Sequence, residues 1–156
     1  MNDSLVRLLF LMHLASTLFM VGLIWFVQVV HYPLFAQTGT SAFTQYEQTH
    51  TRLTARVVAP IMLVEVGSGL LLLWFRPSPI SNLQCVTGLI LLGVIWLSTL
   101  FIQIPCHDEL SKCFDPVVHR RLVSTNWLRT AVWSLRGLLV LWMVWSMTSD
   151  YFPPLS

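Results

Sequence analysis

The sequence is short of charge. Only 10% of its 156 residues are Asp, Glu, Lys or Arg, against about 25% in a soluble domain. That is too little to cover the surface of a water-soluble globule, which excludes a soluble enzyme and a disordered tail. A net charge of +2 is too small for a phosphate-binding face, which excludes a nucleic-acid partner. The three cysteines, Cys85, Cys106 and Cys113, cannot all pair within the chain. Cys85 adjoins an apolar run and reads as a small buried hydrophobe. Cys106 and Cys113 share a loop at a spacing outside the usual zinc patterns. There is no internal repeat and no low-complexity tract, and no run alternates with period two, which argues against a β-barrel.

What is plentiful is apolar surface, 55% of the residues, gathered in four runs at about 4–30, 57–75, 84–105 and 122–147. Each meets the roughly 20 residues that cross a hydrocarbon core of about 30 Å. Lipid offers no partner for backbone polar groups, so each run is expected to be a helix. The expected fold is all-α: one domain, an integral membrane four-helix bundle, antiparallel and up-down. The first run is too long for a signal peptide and no small-x-small cleavage site follows it, so it reads as a retained anchor.

The breaks are expected at prolines. His31-Tyr32-Pro33 should end the first helix, because the residue before proline avoids α geometry. Arg76-Pro77-Ser78-Pro79 makes a tight second loop, Pro105 closes the third helix and Pro153-Pro154 ends the chain. Loops one (about 31–56) and three (about 106–121) are then longer than a connection requires. Phe43 to Arg56, with Thr44, Glu47 and Thr51 as helix formers and caps, reads as a short interfacial helix running into the second span. Asp108, Glu109, Asp115, Lys112, Arg120 and Arg121 read as a solvated helical turn. Arg52, Arg56, Lys112, Arg120 and Arg121 lie on one side, against Arg7 and Arg76 on the other. The positive-inside rule then places loops one and three in the cytoplasm. The expected location is an inner (plasma) membrane of bacterial type.

The informative residues are the costly ones. An ionisable group at membrane depth costs at least about 2.5–3.5 kcal/mol and needs a partner. Glu65 lies roughly 12 Å into the second span and Arg136 roughly 21 Å into the fourth, at about 1.5 Å per residue. With side-chain reach these depths overlap, so the two are expected to face each other, as a structural ion pair or as the charged floor of a ligand cavity. Arg129, Trp133 and Arg136 repeat at i, i+4, i+7, and Asn126 joins their stripe; two arginines and an asparagine should look inward. Thr99, Gln103 and His107 share a face if the third helix persists past Pro105. His31, His50, Gln103, His107, Asn126 and Arg129 are thus expected to ring one end of the bundle, above Glu65 and Arg136.

His31, His107, Arg129 and Arg136 are the expected catalytic groups, and Glu65, Gln103, Asn126, Trp127 and Trp133 the expected binding groups. The metal is unknown. His31, His50 and His107 are candidates to hold iron, copper or zinc, although no Glu-x-x-His or His-x-x-x-His pair falls within one of the four runs. The competing reading for each of these histidines, and for His119, is a hydrogen bond to a loop carbonyl. His13, deep in the first span on the opposite half, reads as one interhelical hydrogen bond or as an axial haem ligand. Trp74, Trp142 and Trp145 fit an aromatic belt. Trp25, Trp96, Trp127 and Trp133 line a cavity or pack. Gly67, Ser68, Gly69, Gly88 and Gly93 permit close helix contact.

Three segments, His31-Tyr32-Pro33, Gln103-Ile104-Pro105-Cys106-His107-Asp108-Glu109-Leu110 and Asn126-Trp127-Leu128-Arg129-Thr130, together resemble the anthrone-oxygenase-like group of small four-span membrane proteins. In that group the third helix often ends Asn-x-Pro-x-Asn, where this chain has glutamine and histidine. The resemblance implies an oxygenase-like or small-molecule-handling role and supplies no metal. The expected function is therefore a membrane oxidoreductase or oxygenase acting on an apolar or aromatic small molecule. The alternative is a non-catalytic accessory or small-molecule-binding protein. Its partners are the lipid bilayer and an apolar ligand.

Overall fold

The computed structural model describes residues 2–38 and 40–148, so the expected stop at Pro153-Pro154 lies outside the described residues. Among these residues there is no strand, and four long helices account for nearly all of them: Asp3–Phe35, Thr40–Leu71, Asn82–Leu110 and Pro116–Thr148. Each is long and apolar enough to cross a membrane. At the α-helical rise they measure roughly 44–50 Å, more than a hydrocarbon core of about 30 Å requires.

The helix starts follow from local sequence. Asn2 caps the first helix by accepting from the Leu5 amide at 2.9 Å. Ser81 opens the third with a reciprocal pair: its hydroxyl accepts from the Gln84 amide while the Gln84 side chain accepts from the Ser81 amide, which satisfies two otherwise orphaned donors. Asp115 accepts from the amides of Val117 and Val118, just ahead of the fourth helix, and Pro116 takes the first helical position, where a missing N–H costs nothing. The expected tight second loop is there. Arg76 ties it down, donating to the carbonyls of Leu73 and Ile80 at 2.9 Å each.

Two expected breaks do not occur. The first helix runs through Tyr32-Pro33 to Phe35, and the third runs through Ile104-Pro105 to Leu110. In both, a five-residue π-turn precedes the proline. Over Val27–His31 the Tyr32 amide reaches back to the Val27 carbonyl, and over Thr99–Gln103 the Ile104 amide reaches back to that of Thr99. The wider turn shifts the hydrogen-bond register just where proline lacks a donor, so the ring is absorbed without ending the helix. The segment from Phe43 to Arg56 is likewise no separate interfacial helix, since the second helix is continuous from Thr40 to Leu71. Loop one shrinks accordingly to the few residues between Phe35 and Thr40, and loop three to a short connection at 111–115.

The first helix packs against the second and fourth, and the third packs against the fourth and, over a smaller area, the second. Three buried layers follow one another along the molecule. One holds Phe10, Leu72, Ile80, Val140 and Met143; the middle one holds Met20, Ile24, Met62, Leu92, Ile95 and Trp133. The third holds Tyr32, Phe35, Phe43, Cys106, Leu110 and Leu122 and sits beside the cluster of imidazoles.

Candidate functional site

The third layer borders a cavity of about 360 Å³, within the roughly 300–1,000 Å³ usual for small-molecule sites. Met20, Ile24, Val58 and Met62 form an apolar lower part, while Tyr32, His50, Gln103, His107 and Arg129 line its polar end.

A hydrogen-bonded chain crosses that polar end. The Glu47 carboxylate is fully buried and lies 2.5 Å from His107 Nδ1. The other ring nitrogen of His107, Nε2, is 3.2 Å from the Tyr32 hydroxyl. A carboxylate on one nitrogen fixes the Nδ1–H tautomer and leaves Nε2 as the acceptor for the tyrosine proton, the arrangement by which a buried carboxylate orients a general base. Tyr32 and Glu47 were absent from the expected site. Glu47 and His50 form a Glu-x-x-His pair on one helix, visible only once that helix is seen to start well before the apolar run.

The three candidate histidines do come together, but through hydrogen bonds. His31 Nε2 lies 2.9 Å from His50 Nδ1, which the Thr54 hydroxyl also approaches at 3.1 Å, and the His50 and His107 ring centres are 5.7 Å apart. The His31–His50 bond engages one nitrogen of each ring, His31 Nε2 and His50 Nδ1. Among the described residues no group of three or more His, Cys, Asp or Glu side chains is arranged to hold a metal ion. His119 bonds a backbone carbonyl, that of Tyr32 at 3.0 Å, within the first helix and not in a loop.

Arg129 is 8% exposed. It donates to Asn126 Oδ1 at 3.1 Å, and Asn126 in turn donates to Gln28 Oε1 at 2.8 Å. Its guanidinium lies 5.1 Å from the Trp133 ring centre. Asn126 and Trp133 therefore hold the arginine rather than a ligand, and neither lines the cavity. Gln103 does line it, but its amide is occupied by Ser98 and Thr125. Two cavity residues keep a buried N–H with no protein partner, Arg129 Nε and Trp96 Nε1. Unmet donors beside an apolar cavity favour an occupant that carries oxygen acceptors.

Glu65 and Arg136 face each other, with Arg136 Nη2 3.0 Å and Nε 3.1 Å from Glu65 Oε1. Thr17 donates to the same oxygen at 3.0 Å and Trp133 Nε1 to Oε2 at 3.3 Å; Arg136 also donates to the Gly88 carbonyl. The pair does not line the cavity, because the Trp133 indole stands between it and Arg129. Neither the catalytic role expected of Arg136 nor the binding role expected of Glu65 has a surface to act on. Trp127 also leaves the expected set. It is one residue, hence about 100° of helix turn, away from inward Asn126. It is 49% exposed, edge-on to Trp25 with ring centres 5.9 Å apart. His13 makes the single interhelical bond, at 2.9 Å to Ser68 Oγ.

No family model, no curated protein and no solved structure matches the chain.

Proposed function

We propose that this chain is an integral membrane protein, an antiparallel up-down bundle. It takes an apolar, aromatic small molecule into the cavity and acts on it as an oxidoreductase or oxygenase. The up-down arrangement is supported by contacts that climb one helix as they descend its neighbour. His13–Ser68, Thr17–Glu65 and His31–His50 do so for the first pair. Trp25–Ser134 and Gln28–Asn126 do so for the first and fourth helices. The five-to-two bias of basic residues supports loops one and three as the cytoplasmic ones.

One observation carries the chemistry: the Glu47–His107–Tyr32 chain ends at an apolar cavity beside Arg129. A weak carbon or oxygen acid placed there gives its proton to the Tyr32 oxygen as the Tyr32 proton passes to His107 Nε2. Glu47 holds the resulting imidazolium, and Arg129 balances the anion left on the ligand, where low dielectric makes a fixed charge count for more. The resemblance to the anthrone-oxygenase-like group supplies the oxidant as dioxygen. A methylene between aromatic rings loses four electrons, one oxygen atom becomes its carbonyl and the other leaves as water.

The test is oxygen uptake by purified protein in detergent micelles containing anthrone. Wild type should consume oxygen, and Tyr32→Phe and His107→Ala should slow it by roughly 10²–10⁴-fold, the usual worth of a general base. Retention of anthrone without oxygen uptake assigns the protein as a binder, and neither retention nor uptake removes the reading.

A further inference from the structure

We propose that the cavity fills from the side, through the seam between the second and third helices, so that its occupant is drawn from the bilayer and not from water. The proposal rests on the membrane-spanning reading above and does not need the oxygenase chemistry. The cavity wall is unevenly exposed. On the first and fourth helices it has no exposed member: Met20 is 1%, Ile24 3%, Tyr32 3% and Arg129 8% exposed, and Leu23 and Val27 are half-buried. Its exposed members, Ala55, Ala59, Leu100, Ile104 and Asp108, all belong to the second or third helix. Asp108 stands at the polar end; the other four are uncharged and frame the seam.

The backbone agrees. The second and third helices share the smallest contact among neighbouring helices, and alanines at 55 and 59 leave the gap a larger side chain would fill. Each helix also departs from the regular α ladder there without ending. Pro60 follows Ala59 inside the second helix and cannot donate to the carbonyl one turn back, while the π-turn Thr99–Gln103 carries Leu100. A proline or a π-turn is where a helix bends, so both sides of the seam carry a point of bending. The ligand class follows from this route. It is a lipid-soluble molecule with one oxygen-bearing head, which sits against Tyr32, His107 and Arg129 while its apolar body lies along Met62 and Ile24 toward the seam.

Thiol labelling tests the route without any ligand. Met62→Cys places a thiol on the cavity wall, with Cys113→Ser removing the exposed native thiol and peptide mass spectrometry locating the label. In phosphatidylcholine vesicles, N-phenylmaleimide should label position 62 faster than a sulfonated maleimide added to the water. Adding Ala59→Trp or Ala55→Trp should slow the apolar reagent by roughly tenfold, since a packed site accepts added bulk poorly. Leu63→Trp, on the exposed side of the same helix, should not slow it. Labelling at least as fast from water, no labelling by either reagent, or both seam tryptophans without effect would each overturn the proposal. If the pattern holds while anthrone is neither retained nor oxidised, the route stands and the oxygenase reading falls.

Discussion

Glu65 and Arg136 are each bonded to more than one neighbour within an apolar shell, and this decides how either would fare alone. Arg136→Met leaves a carboxylate with only Thr17 and Trp133 as donors. Stranding one buried charge costs about 3–5 kcal/mol, whereas replacing both partners by apolar residues is often neutral. The melting temperature in detergent should therefore fall sharply for Arg136→Met and recover much of the loss in Glu65→Leu/Arg136→Met. Equal melting of the single and double variants would contradict a stranded charge. Glycine positions divide in the same way. A Cβ at Gly69 would meet His13 Cε1 at 3.2 Å and Leu89 Cδ2 at 3.3 Å, whereas one at Gly67 meets nothing within 4 Å. The His13 ring is tied to Ser68 at 2.9 Å and would have to shift against that bond, so Gly69→Ala should lower the melting temperature. Gly67→Ala should raise it, because alanine is favoured over glycine in a helix by up to about 1 kcal/mol. The ion pair was legible in the sequence because a charge at membrane depth demands a partner and few were on offer. Glu47 was not, because its value depends on His107 reaching it across a proline expected to end the helix.

At the scale of the element, hydropathy marked where lipid can cover a helix and missed where the helix continues. Residues 40–56 are too polar for an apolar run, yet their backbone bonds are as helical as those that follow. The prolines misled for a related reason: the rule that a helix stops before proline assumes an α register, and the π-turns before Pro33 and Pro105 change that register. Three prolines should consequently differ. Pro60 lies within an unbroken α-helical stretch, where proline costs about 3 kcal/mol. Pro60→Ala should then raise the melting temperature clearly, and Pro33→Ala or Pro105→Ala should raise it less. Equal gains at all three would mean that the π-turns do nothing for the ring.

For the whole molecule, four helices apolar enough to cross a membrane were legible from four long apolar runs set in a sequence with little charge. Cys113, exposed in the 111–115 connection, reports which way the molecule faces. A membrane-impermeant maleimide should modify it in inside-out vesicles and leave it untouched in intact cells. The reverse pattern would invert the orientation read from the basic residues.

The helices, roughly 44–50 Å long, outreach a hydrocarbon slab of about 30 Å. His31, Glu47, His50 and His107 cluster toward one end of the bundle, so in the proposed membrane-spanning arrangement the waterline would pass close to them. In that arrangement, lipids with longer acyl chains would raise the waterline and let the helices stand more upright, drying the imidazoles and altering the proposed side entrance. Host lipid chain length is then a dial on this protein, turned without any change to its sequence.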